Sequence, residues 1–300
     1  MSSLPHRYRG RFAPSPTGRL HFGSLVAALG SWLMARASHG SWLVRVEDLD
    51  PPREVRGADV EILETLAAFG LASDEPPVYQ SRRTADYEHA LERLQSLGHA
   101  YRCWCSRSDL EPFDGVHPTT CVAPQDDARE PAWRLRVPDR AVGFDDLIQG
   151  RFEQNLSREV GDFVIRRADG WHAYQLAVVV DDAAQGVTDV VRGADLIDST
   201  PRQIWLQECL DLPRVRYAHL PLVLGEDGQK LSKHERALAV DASDPLPALR
   251  AALAFLGQTV RARRTVASTL AAALDRFDMR SIPAKAPAPA PFAALRKDVS

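Results

Sequence analysis

Cysteine is scarce in this 300-residue chain, with four copies, too few for the disulfide framework of a small secreted domain. No stretch approaches the roughly 18 apolar residues of a membrane helix. The opening Met1-Ser2-Ser3-Leu4-Pro5-His6-Arg7 lacks both the apolar centre and the small-residue cleavage site of a signal peptide, which places the protein in the cytoplasm with no membrane partner. Neither sign of charge dominates: 37 Lys and Arg against 40 Asp and Glu give a formal charge of −3. A global positive field is therefore missing, and a nucleic-acid partner would need a local basic face. There is no internal repeat. What is present, 45% hydrophobic and 26% charged residues, is the make-up of a globular protein, and the length fits one large domain or two sharing a core.

Arg9 to Ala13 reads as a short strand, ended by the tight loop of Pro14-Ser15-Pro16-Thr17-Gly18. From Phe22 to about Ala37, Leu25, Val26, Leu29, Leu33 and Met34 recur at helical spacing up to Gly40. Ser41 to Val46 follows as a buried strand. This strand–helix–strand order predicts an α/β fold with a parallel sheet and a ligand crevice at the carboxyl ends of its strands. Helices are expected at about Arg53 to Phe69 and Thr84 to Leu97. Tyr101 to Pro131 is too long and irregular for an ordinary connection and reads as an insertion. Strand-like pieces return at Trp133 to Val137, Gly143 to Ile148 and Phe163 to Arg166. A second βαβ-like stretch takes in Ala173 to Val180, Val187 to Arg192, a helix at about Pro201 to Leu210, and Tyr217 to Val223. Helical patterns near Leu246 to Leu256 and Val266 to Phe277 precede a Pro/Ala-rich arm from Ile282.

Two segments carry chemistry. Ser15-Pro-Thr-Gly-Arg-Leu-His21-Phe22-Gly23-Ser24 leads from the first strand into the first helix, where amides and the positive end of the helix dipole favour a phosphate. Gly23 lets a flat base approach the backbone, and His21 can donate to phosphate oxygens as charge builds on them. Gly225-Glu-Asp-Gly-Gln-Lys230-Leu231-Ser-Lys233-His234 is a glycine-bounded loop whose lysines can clamp a departing pyrophosphate. Either segment alone also fits an ordinary turn.

Together these residues resemble the class I glutamyl-tRNA synthetases. Arg11-Phe-Ala-Pro-Ser-Pro-Thr-Gly with His21-Phe-Gly-Ser is similar to their HIGH signature, Val44-Arg-Val-Glu47-Asp48-Leu-Asp50 to their Arg-Ile-Glu-Asp-Thr-Asp strand end, and Lys230-Leu-Ser-Lys-His to KMSKS, with Leu231 in place of methionine and His234 in place of serine, arginine or glutamine. The resemblance covers residues 9 to about 240 and stops where full-length members continue into an anticodon-binding region. That truncation, together with the cysteine-rich insertion, is similar to the stand-alone paralogues that pass glutamate to queuosine in the anticodon of tRNA(Asp).

The resemblance implies a Rossmann-like catalytic domain in two halves, 1–100 and 133–240, around a zinc-binding insertion at 101–132, with a helical extension and tail at 241–300. It implies ATP as substrate, with Mg2+ accompanying it, and a monomer acting on tRNA(Asp). Catalysis falls to His21, Lys230 and Lys233, and ATP binding to His21, Gly23, Ser24 and Lys233. Free glutamate has two carboxylates and one ammonium, so its pocket needs about two cationic forks and an anion. By resemblance Arg11 takes the side-chain carboxylate, Arg192 the α-carboxylate end, Glu47 the ammonium and Tyr174 a further hydrogen bond, with Ser15 beside them. From the residues alone, Arg192 and Glu47 also fit a surface ion pair and Tyr174 a core aromatic. The rival functions are a short synthetase charging a tRNA 3′ end and a non-catalytic RNA-binding paralogue.

Cys103, Cys105, His117 and Cys121 supply the four ligands of a closed, structural zinc site. The Cys-x-Cys spacing is tighter than usual, and reduced cysteines beside an exposed histidine are the alternative. His117 occupies the place of a tyrosine common in the resembled enzymes. Cys209 lies on an apolar helix and reads as core. Arg151, Arg158, Arg166, Arg167 and the cluster Arg261, Arg263, Arg264 fit either a phosphate-tracking face or scattered solvated charges.

Overall fold

The computed structural model describes residues 7–126, 128–224, 239–261 and 263–285. Along the chain run β1 (Arg9–Phe12), α1 (Phe22–Ala37), β2 (Ser41–Val46), α2 (Ala58–Ala68), β3 (Val78–Tyr79), α3 (Thr84–Ser96), β4 (Ala100–Cys103), α4 (Arg107–Leu110), β5 (Ala132–Leu135), β6 (Ala141–Asp146), β7 (Gly150–Asn155), α5 (Leu156–Glu159), β8 (Phe163–Arg166), α6 (Tyr174–Ala184), β9 (Asp189–Gly193), α7 (Thr200–Cys209), β10 (Arg216–Leu220), α8 (Pro245–Phe255) and α9 (Val266–Asp275). The parallel sheet has the order β10-β9-β1-β2-β3, so chain order reverses at β1, between β2 on one side and β9 on the other. Loops diverge at such a point and leave a crevice beyond the carboxyl ends of the strands. Pairing widens the gap: β1 runs in register with β2 from Arg9↔Ser41 to Phe12↔Val44 but meets β9 at Gly10↔Asp189.

The helix α1 forms because apolar residues occupy most of its circumference and His21 caps its start, Nδ1 accepting from the Ser24 amide at 3.2 Å. It is buried on both sides, against the sheet and against α8 and α9. Phe22 meets Phe255 edge to face at 6.4 Å, and Leu25, Leu29, Leu249, Leu256 and Leu270 share one core. The C-terminal helices are thus seated in the main core. Trp42 of β2 stacks on Phe12 and donates its indole N–H to Ser31 Oγ at 2.9 Å, so no polar atom of that ring is stranded.

Four expectations shift. Ala173 to Val180 is helix, not strand. Leu176 through Val179, Asp181 and Asp182 are all buried, so α6 lacks the polar face that marks a helix in sequence. The helix expected from Arg53 starts at Ala58, because Pro51–Arg53 forms a separate turn and the Val55 amide is held by the Pro16 carbonyl at 2.9 Å. The strand expected at Gly143 to Ile148 runs from Ala141 to Asp146, and β7 pairs with it from Ala141↔Asn155 to Asp146↔Gly150, a hairpin partner whose charged sequence gives no strand signal. The irregular insertion begins in order: β4 pairs antiparallel with β5 from Ala100↔Leu135 to Cys103↔Ala132, and β5 with β8.

Candidate active site

Two cavities open at the carboxyl ends of the sheet. One, of about 570 Å³, is lined by the loop after β1, the start of α1 and the segment after β10, and includes Ser15, His21, Gly23, Ser24 and Val223. The other, of about 480 Å³, is lined by residues that include Arg11, Ser15, Glu47, Tyr174 and Arg192. Phe12, Ala13, Ser15, Ala27 and Gly193 line both, so the two cavities adjoin. His21 Nε2 lies 3.0 Å from Ser24 Oγ. His21, Gly23 and Ser24, read from sequence as ATP-binding, line one cavity and Arg11, Ser15, Glu47, Tyr174 and Arg192, read as glutamate-binding, line the adjoining one, while Lys233 and the catalytic candidate Lys230 lie outside the described residues.

Arg11 ends β1 and Arg45 lies inside β2, and both guanidinium groups are buried. Asp182, near the end of α6, holds them together: it accepts from Arg11 Nε at 3.0 Å and Nη2 at 3.2 Å, and Arg45 Nη1 is 2.8 Å away. Burial alone would raise the Asp182 carboxyl, but Arg11 and Arg45 outweigh it and hold it below the usual range. Asp181 accepts from Gln80 Nε2 at 2.7 Å, from Tyr87 Oη at 2.8 Å and from Arg83 Nε at 2.5 Å. The fork assigned to Arg11 is thus half occupied by protein, and a ligand meets a guanidinium already fixed in place. Glu47, at the end of β2, has a different environment. Its Oε1 is buried, accepts no hydrogen bond from a described residue, and faces Arg45 Nη2 at 3.5 Å. Burial outweighs the two arginines and pushes this carboxyl up to about 7.

Arg192 ends β9 and is held from several sides. Its Nη1 donates to Tyr174 Oη at 3.3 Å, its Nη2 to Thr200 Oγ1 at 2.8 Å and to the Leu196 carbonyl at 3.3 Å, and its Nε to His219 Nε2 at 3.1 Å. His219 Nδ1 in turn lies 2.6 Å from Asp146 Oδ2. A surface ion pair is excluded for Arg192, which is 5% exposed.

Away from this crevice, the donor atoms of Cys103, Cys105, His117 and Cys121 lie within 4.8 Å of one another, an arrangement that could hold a metal ion. Cys103 Sγ sits 3.2 Å from His117 Nε2 and accepts from Arg134 Nε at 3.2 Å and the Cys105 amide at 3.4 Å, while Cys105 Sγ accepts from the Ala123 amide at 3.5 Å. Burial alone would raise the Cys105 thiol, but the Ala123 amide and the neighbouring groups outweigh it and hold the thiol below its ordinary value. His117 Nδ1 lies 2.6 Å from the Pro118 carbonyl, which assigns the proton to Nδ1 and turns the Nε2 lone pair to the sulfurs. Gly161 (φ +70°) closes over this turn, where a Cβ would stand 2.3 Å from the His117 carbonyl oxygen. Cys209 is core, as its helix predicts.

The proposed basic face is not assembled from the middle arginines. Arg151 faces Asp145 and Glu153, Arg158 faces Asp139, Arg166 faces Glu88, and Arg167 faces Asp50 and Asp169, so their charge is largely compensated. Sequence reasoning missed Arg45, Asp146, Asp181, Asp182 and His219. The available signal was a charged residue inside an otherwise apolar run, as in Trp42-Leu-Val-Arg45-Val and Val178-Val-Val-Asp181-Asp182.

Residues 7–273 match the family model for the catalytic domain of class I tRNA synthetases (E and Q). The chain is 60% identical over 287 residues to a glutamyl-Q tRNA(Asp) synthetase of Xanthomonas campestris pv. campestris, covering 94% of this chain and 95% of that one. It is 54% identical over 288 residues to a protein of the same name from Burkholderia cenocepacia, covering 91% and 97%. Among solved structures, a glutamate tRNA ligase from Elizabethkingia meningosepticum in complex with its amino acid superposes with a TM-score of 0.78 at 25% identity, over 95% of this chain and 68% of that one.

Proposed function

The chain belongs to the class I tRNA synthetases of the E and Q type, and from that membership we propose that it activates glutamate with ATP as glutamyl-adenylate and passes the glutamyl group to the queuosine base in the anticodon of tRNA(Asp). The observation that carries the reading is the shared wall of the two cavities, one with two fixed guanidinium groups, a buried carboxyl and a tyrosine hydroxyl, the other at the amino end of α1. The curated relatives bearing the glutamyl-Q name favour the base over a tRNA 3′ end as acceptor.

In this reading Arg11 takes the side-chain carboxylate and Arg192 with Tyr174 the α-carboxylate end, while Ser15 bridges the two cavities. ATP lies along His21, Gly23 and Ser24 with its Mg2+. The glutamate α-carboxylate oxygen attacks the α-phosphorus, the new C–O–P bond forms as the bond to the bridging oxygen breaks, and pyrophosphate leaves with the charge that Lys230 and Lys233 neutralise. The acceptor hydroxyl then attacks the activated carbonyl and AMP departs. Catalysis is positioning and charge stabilisation throughout, with no covalent enzyme intermediate. Glutamate-dependent exchange of labelled pyrophosphate into ATP tests the first half, and its absence would contradict the reading.

Glu47 makes that binding pH-dependent. Its carboxyl, raised to about 7, is neutral below that pH, whereas the glutamate ammonium needs it ionised. Binding therefore expels a proton below about 7, and apparent affinity falls roughly tenfold for each pH unit under it and is level above it. Titration calorimetry from pH 5.5 to 8 measures this. Glu47→Gln weakens binding and flattens the profile, while a flat profile in the unaltered protein would contradict the assignment.

Cys103, Cys105, His117 and Cys121 would hold one Zn2+ in this reading, since three thiolates and an imidazole are the ligands of closed structural sites and their donor atoms already lie within 4.8 Å of one another. Bound there, the ion pins the turns between β4 and β5 and takes no part in the reaction. Elemental analysis is expected to give zinc near one equivalent per chain, and chelation to lower the melting temperature. Metal-free protein with the same melting temperature would contradict this.

A further inference from the structure

We propose that Asp146 and His219 are a positioning pair that sets the orientation of the Arg192 guanidinium and so the affinity for the amino-acid substrate; this rests on the reading that Arg192 takes the α-carboxylate end of glutamate. Arginine keeps its proton and only donates, so its Nε requires a lone pair on His219 Nε2, 3.1 Å away. The imidazole is then neutral with its proton on Nδ1, donated to Asp146 Oδ2 at 2.6 Å. The ring cannot tumble: Phe144 and Tyr217 pack on it with centroids 5.9 and 6.2 Å away, and its side chain is fully buried. With Nε held by His219, Nη2 by Thr200 and Leu196, and one Nη1 hydrogen by Tyr174, one N–H of Nη1 is left to meet a carboxylate in the cavity that Arg192 lines. None of these contacts to Asp146 and His219 reaches the cavity, so the pair acts on substrate only through Arg192.

Asp146 is also fixed from the backbone. Its Oδ1 accepts from the amides of Ile148 at 3.0 Å, Gln149 at 2.9 Å and His219 at 3.1 Å. This tells which substitution separates positioning from folding. Asp146→Asn keeps an oxygen for those amides but turns an NH2 toward Nδ1, which forces the imidazole proton onto Nε2, against the Nε–H of Arg192. His219→Gln removes the choice of tautomer, because an amide oxygen can face Arg192 whatever residue 146 is.

The test is pyrophosphate exchange with glutamate and ATP varied in turn. Asp146→Asn is expected to raise the glutamate KM about 10- to 100-fold, the scale of one lost buried hydrogen bond to a charged group, with the ATP KM little changed and the melting temperature lowered. His219→Gln raises it less, and His219→Leu as much as Asp146→Asn. In the double variant Asp146→Asn/His219→Gln the two effects do not add, and its glutamate KM equals that of His219→Gln. An unchanged glutamate KM in Asp146→Asn, strict additivity in the double variant, or losses confined to melting temperature and kcat would overturn the proposal. If Asp146→Asn fails to fold, equal glutamate KM values for His219→Gln and His219→Leu overturn it. Absence of glutamate-dependent exchange in the unaltered protein would instead overturn the parent reading.

Discussion

Asp182→Ala is expected to lower the free energy of unfolding by about 3–5 kcal/mol, the penalty for leaving a buried charge without its partner. Two guanidinium groups meet this carboxylate: Arg11 through Nε and Nη2, and Arg45 through Nη1, which also donates to Gln185 Oε1 at 2.8 Å. Their side chains are 3% and 0% exposed, so water cannot take over when it is removed. Equilibrium unfolding in urea measures the effect as a lower midpoint at constant slope. Glutamate-dependent exchange should fall with it, because Arg11 is no longer held at the cavity wall. Asp182→Asn, which keeps the volume and one oxygen, should give a smaller loss. A change below about 1 kcal/mol with the glutamate KM intact would mean that the two arginines are held by other contacts.

Lys233→Ala is expected to slow adenylate formation by about two to three orders of magnitude, the scale set by removal of one group that stabilises developing charge. Pyrophosphate leaves with increasing negative charge, and the glycine-bounded segment Gly225 to His234 brings two lysines, Lys230 and Lys233, three positions apart. Leu231 and His234 leave that pair intact. Because the lysine acts in the transition state, kcat should carry the loss and the glutamate KM should not. An unaltered exchange rate would remove Lys233 from the reaction.

The strands and helix that build the crevice, β1, α1 and β2, were readable because the Pro14 to Gly18 turn, the spacing from Leu25 to Met34 and the apolar run of β2 are local signals. The residues on the wall of the amino-acid cavity are assigned by resemblance to the synthetases; position near a strand end supports Arg11, Glu47 and Arg192, whereas Tyr174, at the start of α6, carries no signal of its own. Asp182, Arg45 and His219 were not, because their roles arise from contacts more than 70 residues apart in the chain, such as His219 with Asp146 and Arg11 with Asp182. Helix α6 carries no amphipathic signal because burial on all sides erases its polar face, and Asp182, one of its buried residues, is the one that holds Arg11 and Arg45. The cysteine cluster was legible from spacing, whereas part of the order around it comes from Arg134 and Gly161, farther along the chain.

The central claim is that activated glutamate goes to a modified base in an anticodon. The direct measurement is transfer of labelled glutamate, with ATP, to tRNA(Asp) carrying queuosine, to tRNA(Asp) lacking it and to tRNA(Glu), each with its 3′ end intact or blocked by removal of the terminal adenosine, which leaves the modified base untouched. Label on the queuosine-bearing tRNA alone, retained when the 3′ end is blocked, is the predicted result. Label on the intact 3′ end of tRNA(Glu), or on none of the three, would contradict it.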